Sequence, residues 1–241
     1  MPETPPRPAT RNPMKAPFLI ALAAGILSLL IAFAPALWRM LGPAQPASAT
    51  APLQGAPWQI ERPAPGQTRV FGLDLPGTTL AQTRQRWGED LKLALMAGRD
   101  GTVALEAYLE KFEAGGVGGR LLLAYDAPPE ALACWRESLP GTPIESGGRQ
   151  HALTEAALAE LAASPLAGLS FIPAAQLDAA ILESRFGTPA ERIAGGERLE
   201  HWLYPANGLA VVLDAKGRDV LQYVAPADFE RRLAAPLRAP R

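Results

Sequence analysis

Residues 16–38 carry no charged side chain and are almost wholly apolar, bounded by Lys15 and Arg39. Nothing downstream is patterned this way: beyond Arg39, apolar and polar positions alternate in short runs punctuated by Pro and Gly. A helix rises ~1.5 Å per residue and a bilayer's hydrocarbon core is ~30 Å thick, so the first run predicts one transmembrane helix followed by a large globular part. Arg7, Arg11 and Lys15 precede the run, whereas only Arg39 follows it closely. The positive-inside rule then predicts a cytoplasmic tail over 1–15 and an exported C-terminal part, the arrangement of a single-pass bacterial inner-membrane protein with a periplasmic domain. Ala47-Ser48-Ala49 has the small-x-small form of a signal-peptide cleavage site, so cleavage after Ala49 is the alternative. An apolar run longer than the ~7–15 residues of a signal peptide favours a retained anchor.

Residues 39–66, rich in Pro, Ala, Gln and Gly, read as a tether. The remaining pattern predicts an α+β fold of two tandem units, each a helix followed by a three-stranded antiparallel meander. The first covers 67–127 and the second 169–229, with a helical connection over 128–168 between them and a disordered tail over 230–241. In the second unit a helix through Leu177, Ala180, Ile181 and Ser184 stops at Gly187-Thr188-Pro189. Three β-rich runs follow, 200–204, 209–213 and 220–224, the first two joined through Asn207-Gly208, a strong hairpin signal because both residues tolerate positive φ. Upstream, Thr154 is placed to cap a short Ala/Leu helix. In the first unit Thr78 is placed to cap a helix ending at Arg86-Trp87-Gly88, which parallels Arg185-Phe186-Gly187, and residues 119–126 parallel 208–214. Residues 103–112 read two ways: Leu105, Tyr108, Leu109 and Phe112 have helical spacing, whereas the Asp100-Gly101 turn and the repeat favour a strand. The strand reading is preferred.

The helix ending in Phe186-Gly187-Thr188-Pro189, the aromatic strand Trp202-Leu203-Tyr204, and residues 209–217 followed by a third strand resemble the BamE (SmpA) family of bacterial envelope proteins, small lipoproteins of outer-membrane protein assembly. The resemblance covers residues 175–225, and 67–127 match as a degenerate first copy. It implies a non-catalytic protein-interaction fold in the cell envelope. The chain departs from the family in having no Cys near its apolar run and a membrane span in its place.

A formal net charge of -1 provides no clustered basic face for nucleic acid. The single cysteine, Cys134, cannot form an intrachain disulfide and reads as a small apolar residue. His151 and His201 lack metal-ligand spacing. The glycine run 115–119 lacks the Lys-Ser/Thr of a phosphate loop and reads as a hairpin connection. Glu106, Glu110 and Glu113 read as a solvated face. No catalytic, cofactor-binding or metal-binding residue is therefore predicted. The candidate partner-binding residues are Trp202, Tyr204 and Tyr223, because aromatic side chains dominate interaction hot spots.

The expected function is a membrane-anchored, non-enzymatic scaffold or assembly factor with an envelope protein partner and no cofactor. A periplasmic module binding a glycan or peptide is the alternative, and a cell-wall hydrolase ranks third. The outer edge of strand 220–224 is the expected site of partner capture by strand addition.

Overall fold

The structure, a computed structural model, describes residues 55–145 and 147–238. The predicted cytoplasmic tail and membrane span lie outside them; among the described residues no helix is long and apolar enough to cross a membrane.

The described chain opens with a segment pinned to the domain rather than a free tether. Ala56 is fully buried, and the Pro57 carbonyl accepts a 2.8 Å hydrogen bond from the Tyr223 hydroxyl. A short hairpin follows, β1 (Thr68–Val70) and β2 (Leu73–Leu75). Its turn places Phe71 at φ 55° and Gly72 at φ 74°. Positive φ is costly for Phe, and here the ring is held at the centre of an aromatic cluster, 5.2 Å from Phe112, 5.5 Å from Phe171 and 5.8 Å from Tyr223.

Helix α1 (Leu80–Trp87) starts one residue later than predicted, on a capping box between Thr79 and Gln82. It leads into β3 (Lys92–Ala97), β4 (Val103–Ala114) and β5 (Val117–Tyr125). Residues 103–112 are strand. Leu105, Ala107 and Leu109 alternate onto the buried face, and an irregularity between Leu109 and Phe112 turns Phe112 toward Phe71 and Trp87. The stretch expected as a helical connection is mixed. It contains α2 (Pro129–Ser138), β6 (Gly141–Pro143), β7 (Arg149–Ala152), α3 (Glu155–Glu160), and the first residues of β8 (Leu166–Pro173). Thr154 caps α3 as its position predicts. Helix α4 (Ala179–Phe186) is capped by Asp178 and ends at Gly187, whose φ of 81° only glycine adopts freely. The chain then forms β9 (Glu191–Ala194), β10 (Leu199–Tyr204), β11 (Leu209–Asp214) and β12 (Val220–Val224). Gly208, at φ 63°, closes the β10–β11 turn.

These strands build one sheet. Ten of them run antiparallel in the order β6-β7-β3-β4-β5-β8-β12-β11-β10-β9. The expectation of two tandem helix-plus-meander units is therefore overturned. The two meanders exist, but β8 pairs with β5 on one side and β12 on the other and fuses them. Chirality also rules out a duplication. Strands β5 and β12 are both antiparallel to β8 and so run in the same direction. Leu80 of α1 and Leu182 of α4 share one core cluster, so both helices cover the same face. Two copies of one unit related in this way would superpose by translation along the sheet, and that translation would place β11 where β8 stands. It lies instead on the far side of β12. The likeness of Arg86-Trp87-Gly88 and Arg185-Phe186-Gly187 is thus local: Trp87 packs edge-on to Phe112 at 6.2 Å and Phe186 against Tyr204 at 5.7 Å.

One face of the sheet carries the main core. Leu105, Leu121, Leu123, Phe171 and Trp202 point into it and meet the β1–β2 hairpin and helices α1–α4. The other face is covered differently, and that difference defines the candidate site.

Candidate interaction surface

The three aromatic residues expected at a partner surface are core residues. Trp202 is 2 %, Tyr204 5 % and Tyr223 0 % exposed. Alternation in β10 and β12 turns all three toward the helix-covered face, and full burial pushes the Tyr223 phenol well above its ordinary pKa. The expected free edge is absent too: β12 is interior, with β11 on one side and β8 on the other. Sheet edges fall at β6, which carries Pro143, and at β9.

The expected disordered tail is, up to Arg238, a docked strap. After β12 the chain makes a 3₁₀ turn (Pro226–Asp228), a π-helical stretch (Glu230–Ala234) and a last helical turn, α5 (Ala235–Arg238). Phe229 and Ala234 are buried on Leu203, Ala210 and Val224, with Ile193, Leu233 and Leu237 packed around them. This cluster lies on the sheet face opposite the main core. Two arginines clamp the strap. Arg232 bonds both carboxylate oxygens of Asp126 at 2.7 and 2.6 Å and lies 3.8 Å from Asp228; Arg238 joins Glu191 at 2.5 Å to Glu230 at 2.6 Å. The Arg238 guanidinium holds the Glu191 carboxyl below the ordinary carboxylate range.

The strap covers only part of this face. Its apolar contacts fall on β9, β10, β11 and β12, and its apolar cluster includes no residue of β4, β5 or β8. A groove of about 310 Å³ opens along its flank. Arg232 and Leu233 form one wall and Glu106 of β4 lines the opposite side. The floor is low because Ala124 and Gly168 face each other across β5 and β8, beside the Leu122–Ser170–Gln222 row. Farther from the strap, aliphatic side chains continue across the sheet. Ile172 stands opposite Arg120 and Val220 opposite Val212, and beyond Val212 His201 leads back to Ile193, which packs against the strap cluster. Ile172, Val220, Val212 and Ile193 are each half-buried.

Three polar groups in the groove are uncommitted. The side chains of Glu106, Ser170 and Gln222 have no hydrogen-bond partner among the described residues. Burial raises the Glu106 carboxyl above its ordinary pKa, with no neighbouring cation to offset it. Glu110, which the expected acidic run places beside it, is paired with Arg120 at 3.1 Å. The run was expected to be a solvated face; the strand instead half-buries Glu106 beside the groove. Its signal was available in the alternation of β4, which places Glu106 opposite Ala124 on the outward face.

The remaining candidates lie elsewhere. Cys134 is exposed on α2. His151 is buried under the other face, its Nδ1 2.9 Å from the Leu139 carbonyl oxygen, and His201 is 8 % exposed on β10. Among the described residues no group of His, Cys, Asp and Glu is arranged to hold a metal ion. Residues 115 and 116 form the β4–β5 turn, and Gly115 approaches Ala56 so closely that an added Cβ would stand 2.7 Å from its backbone. The other distinctive polar cluster is structural: Asp219 accepts the backbone N–H groups of Leu177 and Asp214 at 2.6 and 2.9 Å, tying the start of α4 to the β11–β12 turn. Compared with known proteins, the chain matches no family model, no curated protein and no solved structure.

Proposed function

We propose that the chain is a non-catalytic protein-interaction module of the bacterial envelope, held at the inner membrane by its apolar stretch 16–38 with the folded domain in the periplasm. One observation carries the reading: a sheet covered along one face by helices is covered on the other only across β9–β12, leaving a groove and an aliphatic strip beside the strap. Apolar surface arranged next to a docked helix is the form of a partner-binding face. The resemblance of residues 175–225 to the BamE family supports the same class of function, and the arginine and lysine asymmetry about residues 16–38 supports the location.

A periplasmic glycan or peptide ligand is the second reading. It is favoured by Glu106, Ser170 and Gln222, three uncommitted polar groups converging on one concavity. One substitution separates the two. In the full chain, Ser170→Trp fills the groove from the row beside its low floor. The protein reading expects loss of a specific co-purifying protein with an unchanged melting temperature. Retention of that partner by a folded Ser170→Trp protein refutes the assignment to this face, and a saccharide or short peptide bound by the purified wild-type chain in place of a protein favours the second reading.

A further inference from the structure

We propose that the occupant of this face is an amphipathic α-helix of a partner protein, about four turns long, lying beside the strap with its aliphatic side on Leu122, Ile172, Val220 and Val212 and a lysine or arginine reaching Glu106. The inference rests on the protein-interaction reading above and names what that partner presents.

Geometry selects a helix. The strap, itself helical, already uses this face, resting on Val224, Ala210 and Leu203. Packed helices stand ~8–10 Å apart. Moving that far along strands that rise ~3.4 Å per residue reaches the row of Val220 and Val212. From Glu106 on β4 to Val212 on β11 the order crosses four strand spacings, roughly 19 Å at ~4.8 Å each, which a helix of about 13 residues spans at ~1.5 Å per residue. The floor also admits close approach, because Ala124 and Gly168 raise no side chain taller than a methyl between Leu122 and the strap. An extended partner strand has no backbone to pair with here, since β4, β5, β8 and β12 are all hydrogen-bonded on both sides.

Charge selects the flank. Glu106 is half-buried with no ion-pair partner, whereas Glu110, Asp126 and Asp228 all have an arginine. The one cation lining the groove, Arg232, is taken by Asp126 and Asp228. A basic residue on the incoming helix supplies the missing partner and desolvates with it, the setting in which a charge pair contributes most to selectivity.

The test uses the full chain in cells, with a photoreactive phenylalanine at Leu122, at Val220 or, away from the groove, at Glu130, and mapping of the crosslinked peptide. The expected peptide has apolar residues at i, i+3 or i+4 and i+7 and a Lys or Arg at one end. Glu106→Lys lowers adduct yield at least about tenfold, and changing the partner's basic residue to Glu restores it. A peptide of alternating pattern, or one insensitive to Glu106→Lys, overturns the helix while leaving the interaction reading in place. Protein adducts at Glu130 on α2 but at neither groove position overturn both, as does the absence of protein adducts at all three. Melting temperatures of each variant separate lost binding from lost folding.

Discussion

Phe229→Ala isolates the strap from the rest of the domain. Phe229 is 2 % exposed, and its ring packs in a small cluster with Leu203, Ala210, Val224 and Ala234 that is separate from the main core. Truncating a buried Phe costs about 3–5 kcal/mol, and the lower end applies here because a terminal strap can relax away instead of holding a cavity. The clamps do not make up the difference. Arg232 and Arg238 are 25 % and 41 % exposed at the side chain, so screening leaves each pair worth little. A loss of about 3 kcal/mol is roughly two decades in an opening equilibrium. Hydrogen exchange on the full chain should therefore show the strap amides, Glu230 to Arg238, losing about two decades of protection. Amides of β4, β5 and β8 should keep theirs, because none of their inward residues touches the strap cluster. Equal loss in both regions would show that strap and main core form one cooperative unit, and no loss anywhere would show that the strap is not docked as described.

Removing the Tyr223 hydroxyl in Tyr223→Phe strands the Pro57 carbonyl, and at about 1–2 kcal/mol should lower the melting temperature and open residues 55–62 to protease; an unchanged cleavage pattern would contradict the pinning of that segment. Glu191 is held below its ordinary pKa by Arg238, so its contribution is present above the unfolded-state value of ~4.3 and disappears as pH falls through the folded value; strap protection should be flat from about pH 8 to about pH 6 and decline in the acid range, and Glu191→Gln should flatten that decline. Glu106 has the opposite sign: its raised pKa means that the folded state binds the extra proton, so stability falls as pH rises through that window, and Glu106→Gln should remove this slope in denaturant titrations.

What could be read ahead of the structure was local. The Asp100-Gly101 and Asn207-Gly208 turns, the Thr154 cap and the Gly187 stop act over a few residues, and both meanders follow from them. Their assembly did not follow, because it depends on β8. Residues 166–173 follow Ser164-Pro165 with no distinctive pattern of their own, and nothing local shows that they pair with β5, 46 positions upstream by the Leu123↔Leu169 register, and with β12, 54 positions downstream by Tyr223↔Leu169. A repeat inferred from Arg-aromatic-Gly could not detect the hand of the meanders, since hand appears only when both share a sheet. The strap was missed for a different reason. Pro236, Pro240 and the arginines of 230–241 read as a disordered tail, yet Phe229, Leu233 and Leu237 recur every fourth residue and mark an apolar stripe. The aromatic candidates failed because Trp202, Tyr204 and Tyr223 sit at positions whose alternation faces the helices. Glu106 was read as part of an acidic run although the alternation of β4 marks it as outward, and its role comes from the half-face that the strap leaves open.

The claim on which the rest depends is that β8 joins two meanders into one sheet whose groove floor draws on both. Paired cysteines across that junction test it in the full chain with Cys134→Ser. Leu122 lies opposite Ser170 and Ser170 opposite Gln222 in adjacent strands. Leu122→Cys with Ser170→Cys, and Ser170→Cys with Gln222→Cys, should each crosslink with a short thiol-specific reagent, and Ser170→Cys with Glu110→Cys, two strands apart and out of register, should not. Absence of crosslinking in both in-register pairs of a folded protein would contradict the continuous sheet and, with it, the groove.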